Sequence, residues 1–381
     1  MNKKRSLLER DGVLTITTSV LCVILGLIVG FLAVLIIDAK GAFGAITGVI
    51  ANFFTYSRAS LRLYNFGSTL AKTAPLIMCS LSVLFAYKVG LFNIGAAGQY
   101  CLGAGAAIYC GYVLSLPWYL CLIIGIVVGG VSGALCGLLK AYCNVNVVIS
   151  GIMLNWISLY GVNVLLQAAK DPTGKDTFRL IQRAPAAVLP NLGLDKLFGN
   201  NKYVGLAIPL AVIMAVIIWI ILDKTKLGYE LKATGNNPNA AKYCGMKETR
   251  NIIFTMFLAG CLASMGGAIY FLTDVEQWNV NASSVPGMGF NGIAAAFLGG
   301  LNPIGCIFSS YFITHITAGG LNVDLRIYSA QVSDFITAVI IYLCGFVLFF
   351  KTVILGAIRR KQERKAKALQ AAETKEGGKQ K

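Results

Sequence analysis

The sequence predicts an all-α polytopic membrane protein with about ten transmembrane helices. Only 13% of its 381 residues are charged, whereas soluble domains carry about 25%. Charged residues are also absent from six long runs, each able to supply at least one helix of about 20 apolar residues, the length that crosses a bilayer. These runs are residues 12–37, 89–139, 141–169, 203–222, 251–273 and 277–323. Such helices satisfy their own backbone polar groups, which lipid cannot do.

The apolar runs divide into ten predicted spans. Lys and Arg precede the first, which could therefore be a signal peptide, but it is longer than a signal h-region of about 7–15 residues, so we interpret it as a retained span. In order, the spans are residues 15–37, 68–87, 93–114, 118–139, 145–167, 203–222, 252–272, 290–302, 303–320 and 332–350. We expect an N-terminal tail at 1–14, a transmembrane domain at 15–350 and a basic C-terminal tail at 351–381.

The distribution of charge predicts the orientation. An even number of spans places both termini on one side of the membrane, together with the loop 223–251, and leaves the loop 170–202 outside. Lys and Arg greatly outnumber Asp and Glu on the first side and only slightly on the second, which makes the first side cytoplasmic. The net charge of +17 then predicts attraction to an anionic lipid bilayer. No nucleic acid is expected, because no aromatic residue interleaves with the basic residues after Phe350.

The sequence offers no constellation for catalysis or for a metal. His315 is the only histidine, and the eleven cysteines include no Cys-x-x-Cys pair; we therefore predict no metal, no cofactor and no disulfide. Serine and cysteine residues in the spans lack a His–Asp arrangement that would make one of them a nucleophile. The chain has no Gly-x-x-x-x-Gly-Lys-Ser/Thr phosphate loop of its own. An enzyme is not expected.

A segment of small residues, 92–99, opens the third predicted span and contains Asn93, Gly95 and Gln99. The two amides are six residues apart and do not share a helix face, but an unwound start near Gly95 would let both point inward. Two interpretations stay open. The segment lines a substrate pathway, where irregular backbone faces a cavity, or it packs helices tightly with amide bonds between them.

A second Gly-rich stretch, 287–305, echoes the first, since both pair Phe-Asn with small residues. This echo is compatible with two pseudo-repeated halves and a transport site between them. Asn291 and Asn302 belong to this stretch and are candidate pathway residues. Asn155, on the fifth predicted span, is a further candidate and is equally suited to bonding a neighbouring helix.

The basic loop between the sixth and seventh predicted spans contains the start signal of a short helix. Asn236 or Asn237 can cap it, Pro238 suits its first turn, and Gly245 ends it. An amphipathic helix on the cytoplasmic side is a docking element for a cytoplasmic partner. The alternative is an ordinary solvated loop.

These segments resemble the permeases of ABC importers. Residues 92–99 are similar to the Phe-Asn-Ile-Gly-x-Glu-Gly-Gln signature of nucleoside-type permeases, and 228–246 resemble the coupling loop of the wider sugar, nucleoside and branched-chain amino-acid permease family. Residues 146–156 and 287–305 resemble two further stretches of that family. The resemblance covers about residues 72–350.

The chain departs from the family pattern at three acids. Ala97 and Val147 stand where the pattern has Glu, and Asn291 stands where it has Asp. A carboxylate inside a membrane is costly and needs a partner, so the joint loss of three acids is consistent with the loss of their partners as well.

The resemblance implies a permease subunit of an ATP-binding-cassette importer, multi-pass in a bacterial plasma membrane, that forms the pathway for nucleosides. A ribose-type simple-sugar importer is the alternative. An ion-coupled secondary transporter would need acids at mid-membrane, which the predicted spans lack.

The resemblance also implies partners: a second permease subunit, identical or different, cytoplasmic ATPase subunits, and an extracytoplasmic substrate-binding lipoprotein. The residues that it assigns to coupling with the ATPase are Gly228, Tyr229, Glu230, Gly235, Asn236, Asn237, Ala240, Ala241, Gly245 and Met246.

Overall fold

The computed structural model describes residues 11–37, 39–170 and 176–320, together with residues 335, 338–339, 341–343, 345–347, 349–358 and 360. Almost all of the regular structure in these ranges is helical. The helices are α1 (Asp11–Ile37), α2 (Ala42–Ala51), α3 (Ala59–Lys88), α4 (Ala96–Tyr112), α5 (Trp118–Cys143), α6 (Val147–Ala168), α7 (Leu180–Arg183), α8 (Ala207–Lys224), α9 (Lys226–Asn236), α10 (Pro238–Tyr243), α11 (Glu248–Leu272), α12 (Met288–Leu298) and α13 (Pro303–Gly319), with short 3₁₀ turns at Asn52–Thr55, Pro185–Ala187 and Leu194–Phe198. Residues Phe349–Ile358 form a further apolar helical stretch.

Within the described ranges, six helices are long and apolar enough to cross a membrane: α1, α3, α5, α6, α8 and α11. They coincide with six of the predicted spans. Because several shorter apolar helices pack beside them, the prediction of an all-α polytopic membrane protein is confirmed.

The remaining predicted spans are shorter than expected or lie outside the described ranges. Helices α4 and α13 have 17 residues each. Helix α12 has only 11, so it extends about 16 Å at 1.5 Å per residue and does not cross a bilayer alone. Eight of the 19 residues of the tenth predicted span, 332–350, are outside the described residues. The count of ten spans therefore stays a prediction.

The segment 39–67, which the sequence analysis leaves as a connection between the first two predicted spans, contains regular structure. It contains α2, a 3₁₀ turn and the first residues of α3, which begins at Ala59 rather than near residue 68. Ala42, Ala45 and Val49 form the buried face of α2. A helix of ten residues is shorter than the window that identifies a membrane span, so its apolar face was not distinguished from a loop.

Hydrogen bonds hold this segment against the end of α13. The Asn52 side-chain amide donates to the His315 carbonyl oxygen at 3.1 Å and lies 3.2 Å from His315 Nδ1. The second ring nitrogen, Nε2, lies 2.8 Å from the Ile50 carbonyl oxygen. The single histidine is thus a packing contact between α13 and the turn that follows α2.

Helix α11 is the centre of the bundle and packs against α3, α4 and α5. In the most apolar window of α3, 89% of the residues are buried inside the protein, compared with 22% in α1. Helix α1 therefore presents most of its apolar surface outward, as expected for a helix that contacts lipid.

Small residues allow α5 and α11 to approach closely. A Cβ atom added at Gly133 would lie 2.2 Å from the Met256 carbonyl oxygen, so no larger residue fits without moving the backbone. Membrane helices associate through such small-residue contacts, because lipid supplies no hydrophobic drive for their association. Helix α4 approaches α11 in the same way, because a Cβ atom added at Gly103 would clash with the Ser264 carbonyl group. Both helices contribute to the site described below.

Two strands connect the loops near the C-terminal end of α11. Strand β1 (Thr177–Phe178) pairs antiparallel with β2 (Trp278–Asn279), with Thr177 opposite Asn279 and Phe178 opposite Trp278. A salt bridge between Lys170 and Asp176 precedes β1. The predicted external loop 170–202 is therefore tied to the loop that joins α11 to α12.

Candidate functional site

The segment before α4 is not helical, as the sequence predicted. Helix α3 ends at Lys88 and α4 begins at Ala96. The segment 89–95 nevertheless lies within the bundle, because Asn93 bonds Ser82, six residues before the end of α3. Irregular backbone inside a membrane protein is tolerated only where protein or a cavity surrounds it.

Asn93 and Gln99 meet across this irregular start and form the first part of an amide cluster. The Asn93 amide nitrogen donates to the Gln99 side-chain oxygen at 2.8 Å and to Ser82 Oγ at 2.9 Å, and the Gln99 nitrogen lies 3.3 Å from the Asn93 oxygen. Ser82 Oγ in turn donates to the Ala259 carbonyl of α11 at 2.6 Å. Both amides are shielded, with 0% and 1% of their surface exposed. The cluster therefore joins segment 89–95 to α3 and α11.

Asn155 adds α6 to this amide cluster. Its side-chain oxygen accepts from the Gly98 amide at 2.7 Å, and its nitrogen donates to the Ile94 carbonyl at 3.1 Å. A Cβ atom at Gly98 would lie 2.6 Å from the Asn155 Cα, so the close approach requires glycine. Gly95 faces Gly151 of the same helix.

The other two predicted pathway residues lie apart from the cluster. Asn291 is half-buried in the first turn of α12, a helix whose start packs on Ala97. Asn302 is exposed and caps α13, accepting from the backbone amides of Ile304 at 2.9 Å and Gly305 at 3.3 Å. The structure thus brings together Asn93, Gly95, Gln99 and Asn155, and it separates Asn302 from them. Their lining of a pathway stays a prediction.

A cavity of about 340 Å³ lies beside the amide cluster, and sequence reasoning missed it. Tyr100 from α4, Tyr270 and Phe271 from α11 and Trp278 from β2 form its aromatic walls; Glu276, Gln277 and Asn279 add polar groups. We call it the aromatic cavity. The available signal was the density of aromatic residues around the end of α11. Nothing in the sequence indicated that Tyr100 would join them.

Asp274 follows α11 beside this cavity and has an altered acidity. Burial raises the pKa of its carboxyl group above the ordinary value, and a backbone hydrogen bond from Leu180 and the charges of Arg179 and Lys202 partly oppose that rise. Its φ of 55° lies in the left-handed region that Asn and Asp tolerate best among non-glycine residues. Burial of this carboxyl group just after α11 therefore has an electrostatic cost.

The predicted helix of the basic loop is present as α10. The Asn237 side-chain oxygen accepts from the Ala240 amide at 3.0 Å, and Pro238 occupies the first turn. Gly245, with a φ of 79°, follows the end of the helix. Of the two predicted N-cap residues, Asn237 caps α10, and Asn236 is instead the last residue of α9. Tyr243 is 95% exposed, and Ala241 is the buried contact of the helix.

Helix α9 was not predicted and fixes α10 to the bundle. Thr225 caps it by accepting from the Gly228 amide at 3.1 Å. Thr234 accepts a hydrogen bond of 2.9 Å from the Asn251 side chain at the base of α11. A Cβ atom at Gly235 would lie 2.4 Å from the Val89 carbonyl carbon, so α9 touches the beginning of segment 89–95.

The other predicted coupling residues lie on α9, on α10 or just after α10. Tyr229 is largely exposed on α9, and Glu230 is half-buried at 3.9 Å from Lys226 Nζ. Ala240 is exposed, and Met246 is half-buried beyond the end of α10. Their contact with an ATPase stays a prediction.

The sequence of this chain matches known transport proteins over most of its length. Residues 65–345 match the family described as branched-chain amino acid transport system / permease component. A guanosine ABC transporter permease protein of Bacillus subtilis is 34% identical over 288 residues, which cover 73% of this chain and 80% of the relative. A nucleoside ABC transporter permease protein of Lactococcus lactis is 33% identical over 380 residues, or 95% of this chain and 98% of the relative.

A glucose ABC transporter permease protein of Haloferax volcanii is 30% identical over 304 residues, which cover 76% of this chain and 79% of that protein. Bacillus subtilis and Lactococcus lactis each contribute a second relative with the same kind of name. No solved structure matches the chain. On the family match and on the first two relatives, this multi-pass membrane protein belongs to the branched-chain amino acid transport system / permease component family.

Proposed function

We propose that the chain is one of two permease subunits of an ATP-driven importer that carries nucleosides into the cell. The observation that carries the proposal is the likeness over 95% of the chain to a nucleoside ABC transporter permease protein. The likeness to a guanosine permease supports the same substrate class.

The helix pair α9–α10 is the proposed contact with cytoplasmic ATPase subunits. An element that receives force must be exposed on one side and firmly attached on the other. Helix α10 is exposed at Tyr243, while α9 is attached through the Thr234–Asn251 hydrogen bond and the contact at Gly235. This combination supports the coupling role.

Two further partners belong to the proposal. A second permease subunit would complete the pathway, and the paired permease relatives in two organisms favour a different chain over a second copy. An extracytoplasmic lipoprotein would deliver the nucleoside to the outer loops, which β1–β2 ties together. The proposed location is a bacterial plasma membrane with both termini in the cytoplasm.

Reconstitution tests the function directly. The chain, its companion permease, the ATPase and the binding lipoprotein are placed in liposomes, and uptake of radiolabelled guanosine is measured. We expect uptake that requires ATP and stops when the catalytic site of the ATPase is inactivated. Uptake by this chain alone, without ATP, would contradict the proposal.

The same liposomes compare the two substrate classes. The glucose permease relative is the reason to include unlabelled glucose as a competitor. We expect excess unlabelled nucleoside to abolish guanosine uptake and excess glucose to leave it unchanged. Displacement by glucose, or ATP-dependent uptake of labelled glucose, would favour the sugar alternative.

The coupling surface is tested with a pair of exposed tyrosines. Tyr243→Ala removes the exposed ring of α10, and Tyr119→Ala removes a matched exposed ring from α5 on the opposite, proposed outer side. Because exposed aromatic anchors at interfaces are worth about 2 kcal/mol or more, we expect Tyr243→Ala to weaken ATPase association by at least about 10-fold. Tyr119→Ala should leave it unchanged; equal effects would argue against α10 as the contact.

The orientation is tested with Cys244, which is exposed beside α10. A variant that keeps only this cysteine should react with a membrane-impermeant maleimide in inside-out vesicles and not in intact cells. Ser283→Cys, placed on an exposed residue of the α11–α12 loop in a cysteine-free background, should show the opposite behaviour. Labelling of Cys244 from outside the cell would reverse the proposed topology.

A further inference from the structure

We propose that the aromatic cavity binds the base of the nucleoside as it passes through the permease. Tyr100, Phe271 and Trp278 form the stacking walls. Glu276 accepts hydrogen bonds from N–H groups at the edge of the base. This proposal rests on the proposed function and adds to it the place and the chemistry of substrate recognition inside the membrane subunit.

The walls have the shape and chemistry that a flat heteroaromatic ring requires. The ring centroid of Phe271 lies 5.4 Å from that of Trp278, 5.6 Å from that of Tyr270 and 6.3 Å from that of Tyr100, all tilted edge to face. These contacts hold the rings in place, and the rings that line the cavity give a planar ligand aromatic surface to pack against. Bases stack on aromatic side chains with little dependence on sequence, because every base has a π face.

The wall formed by Trp278 is held in place before any ligand arrives. Its indole nitrogen donates to the Asn163 side-chain oxygen at 3.0 Å, and the Asn163 nitrogen donates to the Ala282 carbonyl at 2.9 Å. Strand pairing with Phe178 fixes the backbone at the same residue. A wall that does not have to be ordered on binding saves conformational entropy, which favours affinity.

The Tyr100 hydroxyl is a polar group of the cavity without a hydrogen-bond partner among the described residues. The side chain as a whole is 1% exposed. Within the described part of the chain, every fully shielded side-chain N or O atom has a partner, so this hydroxyl is reached from the cavity. A polar ligand atom in the cavity would supply the hydrogen bond that the protein does not.

Glu276 supplies the acceptor that selects the kind of ring. One carboxylate oxygen accepts from the Tyr270 hydroxyl at 2.8 Å, and the other makes no hydrogen bond with the described residues. Carboxylates pair with amino and imino N–H groups of bases, as Glu and Asp do with cytosine N4. The N1–H and amino group of guanine form one such donor edge.

Binding is measured through Trp278 itself. The chain has four tryptophans; replacing Trp118, Trp156 and Trp219 by Phe leaves only the one in the cavity wall. The assembled importer complex in lipid nanodiscs, without ATP and without the binding lipoprotein, is titrated with guanosine. We expect saturable quenching of the fluorescence, and glucose should produce none.

Single substitutions then show which residues of the cavity contribute to guanosine binding. Phe271→Ala removes a wall and should raise the guanosine dissociation constant by about 5- to 150-fold. Tyr100→Phe should raise it by about 3- to 10-fold. Tyr109→Phe, on the same helix but outside the cavity lining, is the matched control and should change nothing.

Purine riboside, whose base carries no N–H donor, isolates the carboxylate. Glu276→Gln should weaken guanosine binding by about 10-fold or more and leave purine riboside binding unchanged, whereas Phe271→Ala should weaken both.

Quenching that is absent, or that stays the same in Tyr100→Phe, Glu276→Gln and Tyr109→Phe, would overturn the proposal. Tyr100→Phe and Glu276→Gln nearly keep the size of the side chain. The proposal can therefore be overturned even if Phe271→Ala fails to fold. If ATP-dependent guanosine uptake persists while the cavity variants bind normally, only this inference fails. If the intact complex transports no nucleoside at all, the proposed function fails with it.

Discussion

The amide cluster and the aromatic cavity are adjacent along α4, at Gln99 and Tyr100, yet their polar groups are used in opposite ways. In the cluster, the side chains of Asn93, Gln99 and Asn155 bond one another, Ser82 and nearby backbone atoms. In the cavity, the Tyr100 hydroxyl and one oxygen of Glu276 have no partner among the described residues. A saturated polar group stabilises the fold, and an unsatisfied one is available to a ligand. The difference predicts that substitutions in the two regions will change different measurable properties.

The largest effect is expected from Gly98→Ala. The added Cβ atom would meet the Asn155 Cα at 2.6 Å, so backbone must shift and the cluster opens. We expect a loss of at least about 3 kcal/mol in the free energy of unfolding, measured by thermal unfolding with a dye that reacts with newly exposed cysteines. Gly161→Ala is the matched control, because no atom lies within 4 Å of its added carbon. Equal behaviour of the two variants would show that the close approach at Gly98 does not exist.

Asn93→Leu removes the centre of the cluster and keeps the volume of the side chain. Gln99 and Ser82 would then lose a buried partner, which costs about 2–3 kcal/mol. The melting temperature should fall accordingly, while guanosine affinity per folded molecule should stay unchanged. Asn239→Leu, at an exposed position of α10, should shift stability by less than about 0.5 kcal/mol. A binding defect without a stability defect would assign Asn93 to the pathway instead.

Tyr100→Phe should show the opposite pattern to Asn93→Leu. Removing a hydroxyl that opens on the cavity and has no partner among the described residues should change the free energy of unfolding by less than about 0.5 kcal/mol, although the same change weakens guanosine binding. The same melting assay checks this. A clear loss of stability would mean that the hydroxyl already has a structural partner.

The smallest effect concerns pH. Because burial holds the pKa of Asp274 above the ordinary 3.8, the folded chain binds this proton more tightly than the unfolded chain. The contribution of the group to stability therefore falls as pH rises from the unfolded value through the folded one. Asp274→Asn, which keeps the left-handed backbone favourable, should remove that fall. The melting temperatures of variant and parent should diverge as the pH rises above the ordinary carboxyl pKa of 3.8; parallel curves would contradict the raised pKa.

The charge-free runs predicted the long helices well, because a span of about 20 apolar residues has few other uses. Helix α10 was also predictable, since Asn237, Pro238 and Gly245 supply local start and stop signals that act through backbone geometry alone. Helices α2 and α9 were not, because one is too short for a span and the other has a turn-like composition. Their stability comes from contacts with α13 and α11 that no local pattern contains.

The site was predicted in part for the same reason. The unwound start of α4 followed from its small residues, and the meeting of Asn93 with Gln99 needed only local geometry. The aromatic cavity joins Tyr100 to residues about 170 positions later in the chain, and only the packing of α4 on α11 creates it. Asn302, chosen by its motif, is a helix cap with a sufficient local role.

The contact of Gly235 with Val89 and Gly90 joins the helix pair α9–α10 to the unwound stretch that leads into α4. Any displacement of α9 that preserves this contact moves the stretch as well, and ten residues after Gly90 the chain reaches Tyr100. A force applied at the proposed contact with the ATPase would thus reach the proposed substrate cavity through ten residues of main chain.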